Sequence, residues 1–162
     1  MLHGDRLLIR SGVLLGIGLG GFVDGIGLHQ ILQWHGMVSS VVPPVTLVTA
    51  KVNMLWDGVF HALMWLATAA GVFFLARAAS AERKLDVGRT LIACMLLGWG
   101  MFNIVEGLID HQLLGLHHVH PGENQLAWDL GYLIFSAILV VIGARLLVRT
   151  VRPGHLEPAP SS

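Results

Sequence analysis

Residues 98–129 read GWGMFNIVEGLIDHQLLGLHHVHPGENQLAWD. Apolar positions alternate here with Asn103, Glu106, Asp110, His111, His117, His118, His120 and Asp129. An unpaired carboxylate in a bilayer costs about 2.5–3.5 kcal/mol or more. A stretch that is otherwise fit for lipid and still carries acids and imidazoles has to satisfy them internally. It reads as half of a metal site built into a membrane bundle.

The rest of the chain supports the bundle. Its 162 residues are 54% hydrophobic and 12% charged, about half the charge of a soluble domain, and the mean hydropathy is +0.70. A spanning helix needs about 20 apolar residues. Four runs qualify: Ser11–Trp34, Asn53–Ala76, Leu91–Leu114 and Leu126–Val148. The expected fold is all-α, an integral membrane four-helix bundle over residues 1–152, with a disordered C-terminal tail at 153–162 (His155 incidental). Arg6 and Arg10 precede an apolar run without a small-residue cleavage site, so the first helix is read as uncleaved. A formal net charge of zero argues against nucleic acid as a partner. Cys94 stands alone, which excludes thiol–disulfide exchange within one chain.

Basic residues mark the cytoplasmic side. Nine of the ten (Arg6, Arg10, Arg77, Arg83, Lys84, Arg89, Arg145, Arg149, Arg152) lie at the termini or between runs two and three, and only Lys51 lies elsewhere. Both termini are therefore expected inside, in a multi-pass protein of the cell inner (plasma) membrane. With that orientation the polar residues of all four runs reach the same, outer, depth.

In run one, Gly12, Gly16 and Gly20 have the small-xxx-small spacing of close helix packing. Asp24 and His35 are eleven apart and share a face of an α-helix. His29 reads either as a ligand or as a core histidine bonded to backbone. His35 reads as a solvated interface residue. Run two places Asn53, Asp57, His61 and Trp65 at intervals of four, on one face. That is a ligand row or a hydrogen-bonded seam, and Asp57 and His61 are taken as ligands. The connection from Arg77 to Thr90 reads as a solvated loop. In run three, Asn103, Glu106 and Asp110 fall within about 60° on the wheel, with His111 on the flank. The HHVH cluster at 117–120 reads as metal-capable, or alternatively as a pH-responsive loop. Asp129, Tyr132 and Ser136 share a face of run four, and Trp128 and Tyr132 suit the membrane interface.

The candidate metal ligands are Asp24, His29, Asp57, His61, Glu106, Asp110, His111, His117 and His118. Their mixed imidazole and carboxylate character favours zinc or iron, admits copper(II), and disfavours copper(I). Haem is the less favoured cofactor, since so many acids surround the histidines. An open coordination position would suit a redox or hydrolytic metalloenzyme, and a metal-handling factor fits the same residues. Without a cation, the same network would serve a small ion or proton transporter. The lipid bilayer is the expected partner, with a homo-oligomer as an option.

The motifs GFVDGIGLHQILQWH, NMLWDGVFHA, GWGMFNIVEGLIDHQLLGLHHVH and WDLGY resemble those of small bacterial predicted membrane proteins grouped as domain of unknown function 2243. The resemblance runs from about Arg10 to Arg149. It implies an integral membrane protein and carries no activity.

Overall fold

The computed structural model describes residues 1–151, which form four long helices. The tail at 153–162 and Arg152 lie outside the described residues. Helix α1 (His3–Phe22) runs without a break into a π-helical segment, Val23–Ile31. Helix α2 covers Leu47–Ala79. Helix α3 (Val87–Glu106) is likewise continued by a π-helical segment, Gly107–Leu113, and α4 covers Gln125–Val151. Each of the four is long and apolar enough to cross a membrane. The first span starts eight residues earlier than the apolar run suggests, because Asp5 organises its entry. Asp5 is buried, accepts from Leu2 N at the helix start, and accepts from Lys84 N and Leu85 N at 2.9 and 3.1 Å. The connection read as a freely solvated loop is thus tied to the first turn of α1. Arg83 caps the end of α2 by donating to Ala78 O, and the Asp86 carboxylate accepts from Arg89 N to start α3.

Helices α1 and α3 form the central pair. Helix α2 packs on α1 and α4 packs on α3. The central spans are the most buried and the flanking spans the least. Large apolar side chains on the flanks, such as Leu55, Leu66, Ile134 and Ile138, point outward. An exterior this apolar matches acyl chains rather than water.

Glycine decides how closely the central pair approaches. A Cβ on Gly16 would lie 2.1 Å from Met95 O, and one on Gly98 would lie 2.2 Å from Val13 O. These two contacts are the same contact made twice, since 82 residues separate Gly16 from Gly98 and Val13 from Met95. The flanking helices repeat the relation. Gly71 of α2 meets Leu15 of α1, and Gly143 of α4 meets Leu97 of α3. The bundle is therefore two α-hairpins, α1–α2 and α3–α4, related by a pseudo-two-fold axis that runs along the helices.

Gly16→Ala and Gly98→Ala should each lower stability by about 1–3 kcal/mol through overpacking. Gly58→Ala and Gly131→Ala, where an added Cβ meets nothing within 4 Å, should leave it unchanged or raise it by about 0.4–1 kcal/mol. Thermal unfolding in detergent, followed by circular dichroism, distinguishes the two pairs.

Candidate metal centre

Both central helices change pitch just before they end. A π-helix bonds residue i to i+5. In an α-helix, two residues five apart point about 140° away from each other; in a π-segment they come nearly into line. Asp24 and His29, five apart, consequently meet, with Oδ2 and Nε2 separated by 3.1 Å. The segments then close identically. Leu32 N donates to Gly27 O and Leu114 N to Ile109 O. Gln33 (φ 52°) and Gly115 (φ 58°) follow in the left-handed region and reverse the chain. Two residues later the reversal delivers His35 and His117 into the core.

The hairpins then build matching second layers. Asp57 of α2 accepts from Met37 N at 2.8 Å and from Gln30 Nε2 at 3.2 Å, and faces His29 Nδ1 at 2.9 Å. Asp129 of α4 accepts from Val119 N at 3.0 Å and from Gln112 Nε2 at 3.3 Å, and faces His111 Nδ1 at 3.4 Å. Across the axis, His35 Nδ1 donates to Val119 O at 2.8 Å, and His117 Nδ1 donates to Met37 O at 3.1 Å. A carbonyl only accepts, so each Nδ1 carries the proton and each Nε2 carries the lone pair in the neutral ring. Burial holds both rings neutral. His35, beside the His29 imidazole, is pushed down to about 4. His117, beside His35 and His111, is pushed down to about 2.

Three imidazoles meet in one place. Ligand atoms of His29, His35 and His117 all lie within 4.8 Å of one another. The Nε2 atoms of all three are buried without a hydrogen-bond partner among the described residues. The His35 and His117 rings stack at 4.8 Å, and His29 and His111 stand edge-on to them at 4.5 and 4.7 Å. A carboxylate closes each end. Asp24 lies against His29, and Glu106 Oε1 lies 4.0 Å from His117 Nε2 while Glu106 Oε2 accepts from Tyr132 OH at 2.9 Å.

Of the residues expected as ligands, the structure brings Asp24, His29, Glu106, His111 and His117 to this cluster. Asp57 stands behind His29, on the side away from the cluster. His118 pairs with Asp129 at 2.7 Å and also lies behind it. His61 is separate: it packs on Phe22 and Phe60 and against Gly25. Asp110 is part-exposed, with no side-chain partner among the described residues. The row of four on α2 does not hold as one face. Each step of four residues drifts about 40° on the helix, so Asn53 and Asp57 are buried while Trp65 is 61% exposed to the lipid side. His35, expected to be solvated, is 7% exposed and central. Its role was legible in a repeat. Asp24-Gly25, His29-Gln30, Leu32 and His35 recur as Glu106-Gly107, His111-Gln112, Leu114 and His117, at identical spacing.

A mouth beside Asp57, lined by Gln30, His35, Pro43, Asn53 and Asp57, leads to His29 through a cavity of about 760 Å³. Trp34, which also lines this cavity, packs against His120 and Trp128 at ring-centre distances of 5.0 and 5.3 Å.

These features define a four-span membrane protein with a buried cluster of imidazoles and carboxylates near one end. The chain belongs to the family described as "Predicted membrane protein (DUF2243)", whose model matches residues 11–150. No curated protein matches the chain, and no solved structure matches it.

Asp129 is 1% exposed and holds four groups in place. Asp129→Ala should cost about 3–5 kcal/mol, the scale of breaking a buried charged pair. Asp110→Ala should stay within about 0.5 kcal/mol, the scale of an ordinary surface substitution. Chemical denaturation of the two variants in mixed micelles checks the contrast.

Proposed function

We propose that this protein is an integral membrane metalloprotein whose centre is built on the Nε2 atoms of His29, His35 and His117, with Asp24, Glu106 and His111 at its edges. The observation that carries this reading is the convergence of the buried His35 and His117 lone pairs, which have no proton donor to meet, on His29, whose Nε2 faces the Asp24 carboxylate. A buried polar atom left unpaired costs about 1–3 kcal/mol, and a bound cation removes that cost for His35 and His117 together while offsetting the Asp24 charge. Asp57 supports the reading as well. It receives His29 Nδ1 from behind, the carboxylate–histidine arrangement that orients a metal-binding imidazole. The donor set suits zinc or iron, and also copper(II).

The cavity beside His29 gives a water or small reactant a way to an open coordination position. That favours redox or hydrolytic chemistry, or hand-over of the ion itself. A through-going transport path has less support. On the far side of the centre the α1–α3 contacts at Gly12, Gly16 and Gly98 are backbone-tight, and the buried polar groups there, Asp5, Ser11 and Thr90, lie near the opposite helix ends.

The distribution of basic residues supports cytoplasmic termini and a centre near the extracytoplasmic face of the inner membrane. Two experiments check these points. Protein purified in detergent should carry bound zinc, iron or copper by mass spectrometry. His35→Ala and His117→Ala should lose it, His3→Ala should keep it, and Asp57→Asn should weaken it about 10–100-fold. A metal content that is unchanged in His35→Ala and His117→Ala would sink the assignment. For orientation, Ser40→Cys and Glu123→Cys should react with an impermeant maleimide on intact spheroplasts, and Glu82→Cys only after lysis; the reverse pattern would invert the topology.

A further inference from the structure

The pseudo-two-fold axis gives each hairpin its own donor set. Asp24, His29 and His35 belong to the first, and Glu106, His111 and His117 to the second, with the same spacing of five and eleven residues. We infer that the centre holds two metal ions, one on each set. This rests on reading the cluster as a metal centre and adds its stoichiometry and the second ion's ligands.

Four imidazoles form a file in the order His29, His35, His117, His111, with successive ring centres 4.5, 4.8 and 4.7 Å apart. Asp24 of α1 stands against His29 at one end, and Glu106 of α3 stands against His117, one ring in from the other end. Six donors exceed what one tetrahedral ion takes. Divided at the axis, the file gives two imidazoles and one carboxylate to each ion, the donor set of open zinc sites and of mononuclear iron(II) sites.

The second set has its own pair of unpartnered atoms. Glu106 Oε1 and His117 Nε2 are both buried and face each other at 4.0 Å, and neither has a hydrogen-bond partner among the described residues. That separation is too long for a hydrogen bond. It is within reach of two ligand bonds of about 2.0–2.2 Å each, made to one ion at a wide angle. His111 turns Nδ1 toward Asp129 at 3.4 Å, as His29 turns Nδ1 toward Asp57 at 2.9 Å, so Nε2 is the nitrogen it would offer an ion. The two sets differ in one coordinated way. The shorter acid Asp24 is matched by Phe60 on α2, and the longer Glu106 by Tyr132 on α4, whose hydroxyl occupies Oε2 and leaves Oε1 as the single free oxygen.

The test is equilibrium dialysis of the stripped, detergent-purified full chain against zinc(II), with zinc counted per protein. Two ions are expected for the unaltered chain, one for Glu106→Gln, one for Asp24→Asn, and none for the double variant. His111→Asn serves where Glu106→Gln fails to fold, with an expected count of one. X-ray absorption on the unaltered chain should find a second metal about 3.5–4 Å from the first. A single ion, whether lost in both variants or kept in Glu106→Gln, overturns the second site and leaves the metal centre standing. Failure of every form to bind any metal removes both.

Discussion

A neutral imidazole sealed from water with its lone pair facing another lone pair is the constraint on which this structure turns. His35 and His117 hold each other in that state, because each gives its one proton to the opposite hairpin's backbone, at Val119 O and Met37 O. The same two bonds stitch the hairpins together across the axis. The geometry that orients the two imidazoles and the contact that joins the halves are therefore one interaction. Neither hairpin can form its half of the cluster alone.

That arrangement explains why α1 and α3 abandon α-helical pitch within a few residues of the cluster. An α-helix would set Asp24 and His29 on different sides. The π-segment aligns them, and the residue at positive φ then turns the chain so that a third donor enters from the loop. Gln33 occupies that conformation in the first hairpin although glycine suits it better, and Gly115 occupies it in the second. Strain accepted in a conserved geometry, in both halves of one chain, fits a turn whose purpose is to place His35 and His117. π-segments concentrate at functional sites for this reason.

The architecture was legible in the sequence from hydropathy alone, because four apolar runs near the length of a bilayer leave few alternatives. The depth of the polar residues was legible too, since acids and histidines cluster at matching ends of successive runs. Which of them touch was not. Wheel arithmetic assumes 100° per residue, and it fails where the helices change pitch. It therefore gave weight to Asp110, which stands apart, while His35 was sent to the surface by its place at the end of its apolar run. The row on α2 failed for a related reason: intervals of four drift steadily around the helix, so its first members are buried and its last faces outward. A comparison of residues 24–35 with 106–117 would have recovered His35, because a position repeated at the same spacing within one chain is held by the same geometry.

The repeat also separates what the two halves have in common from what each does by itself. The hydrogen bonds to Asp57 and Asp129, the turn and the glycine contacts are held in both hairpins. The loop aromatics are not: Trp34 and His120 pack on Trp128, and the positions of Trp34 and His120 in the other half carry Leu116 and Val38. Nor is the carboxylate shared: Tyr132 restrains Glu106, whereas Phe60 offers Asp24 no such bond. Matched frameworks with unmatched loops and unmatched acids give two donor sets of one composition but different surroundings. Tyr132 fixes one oxygen of Glu106 and Phe60 leaves Asp24 without that restraint, so the two halves are chemically distinct without any difference in the histidines themselves.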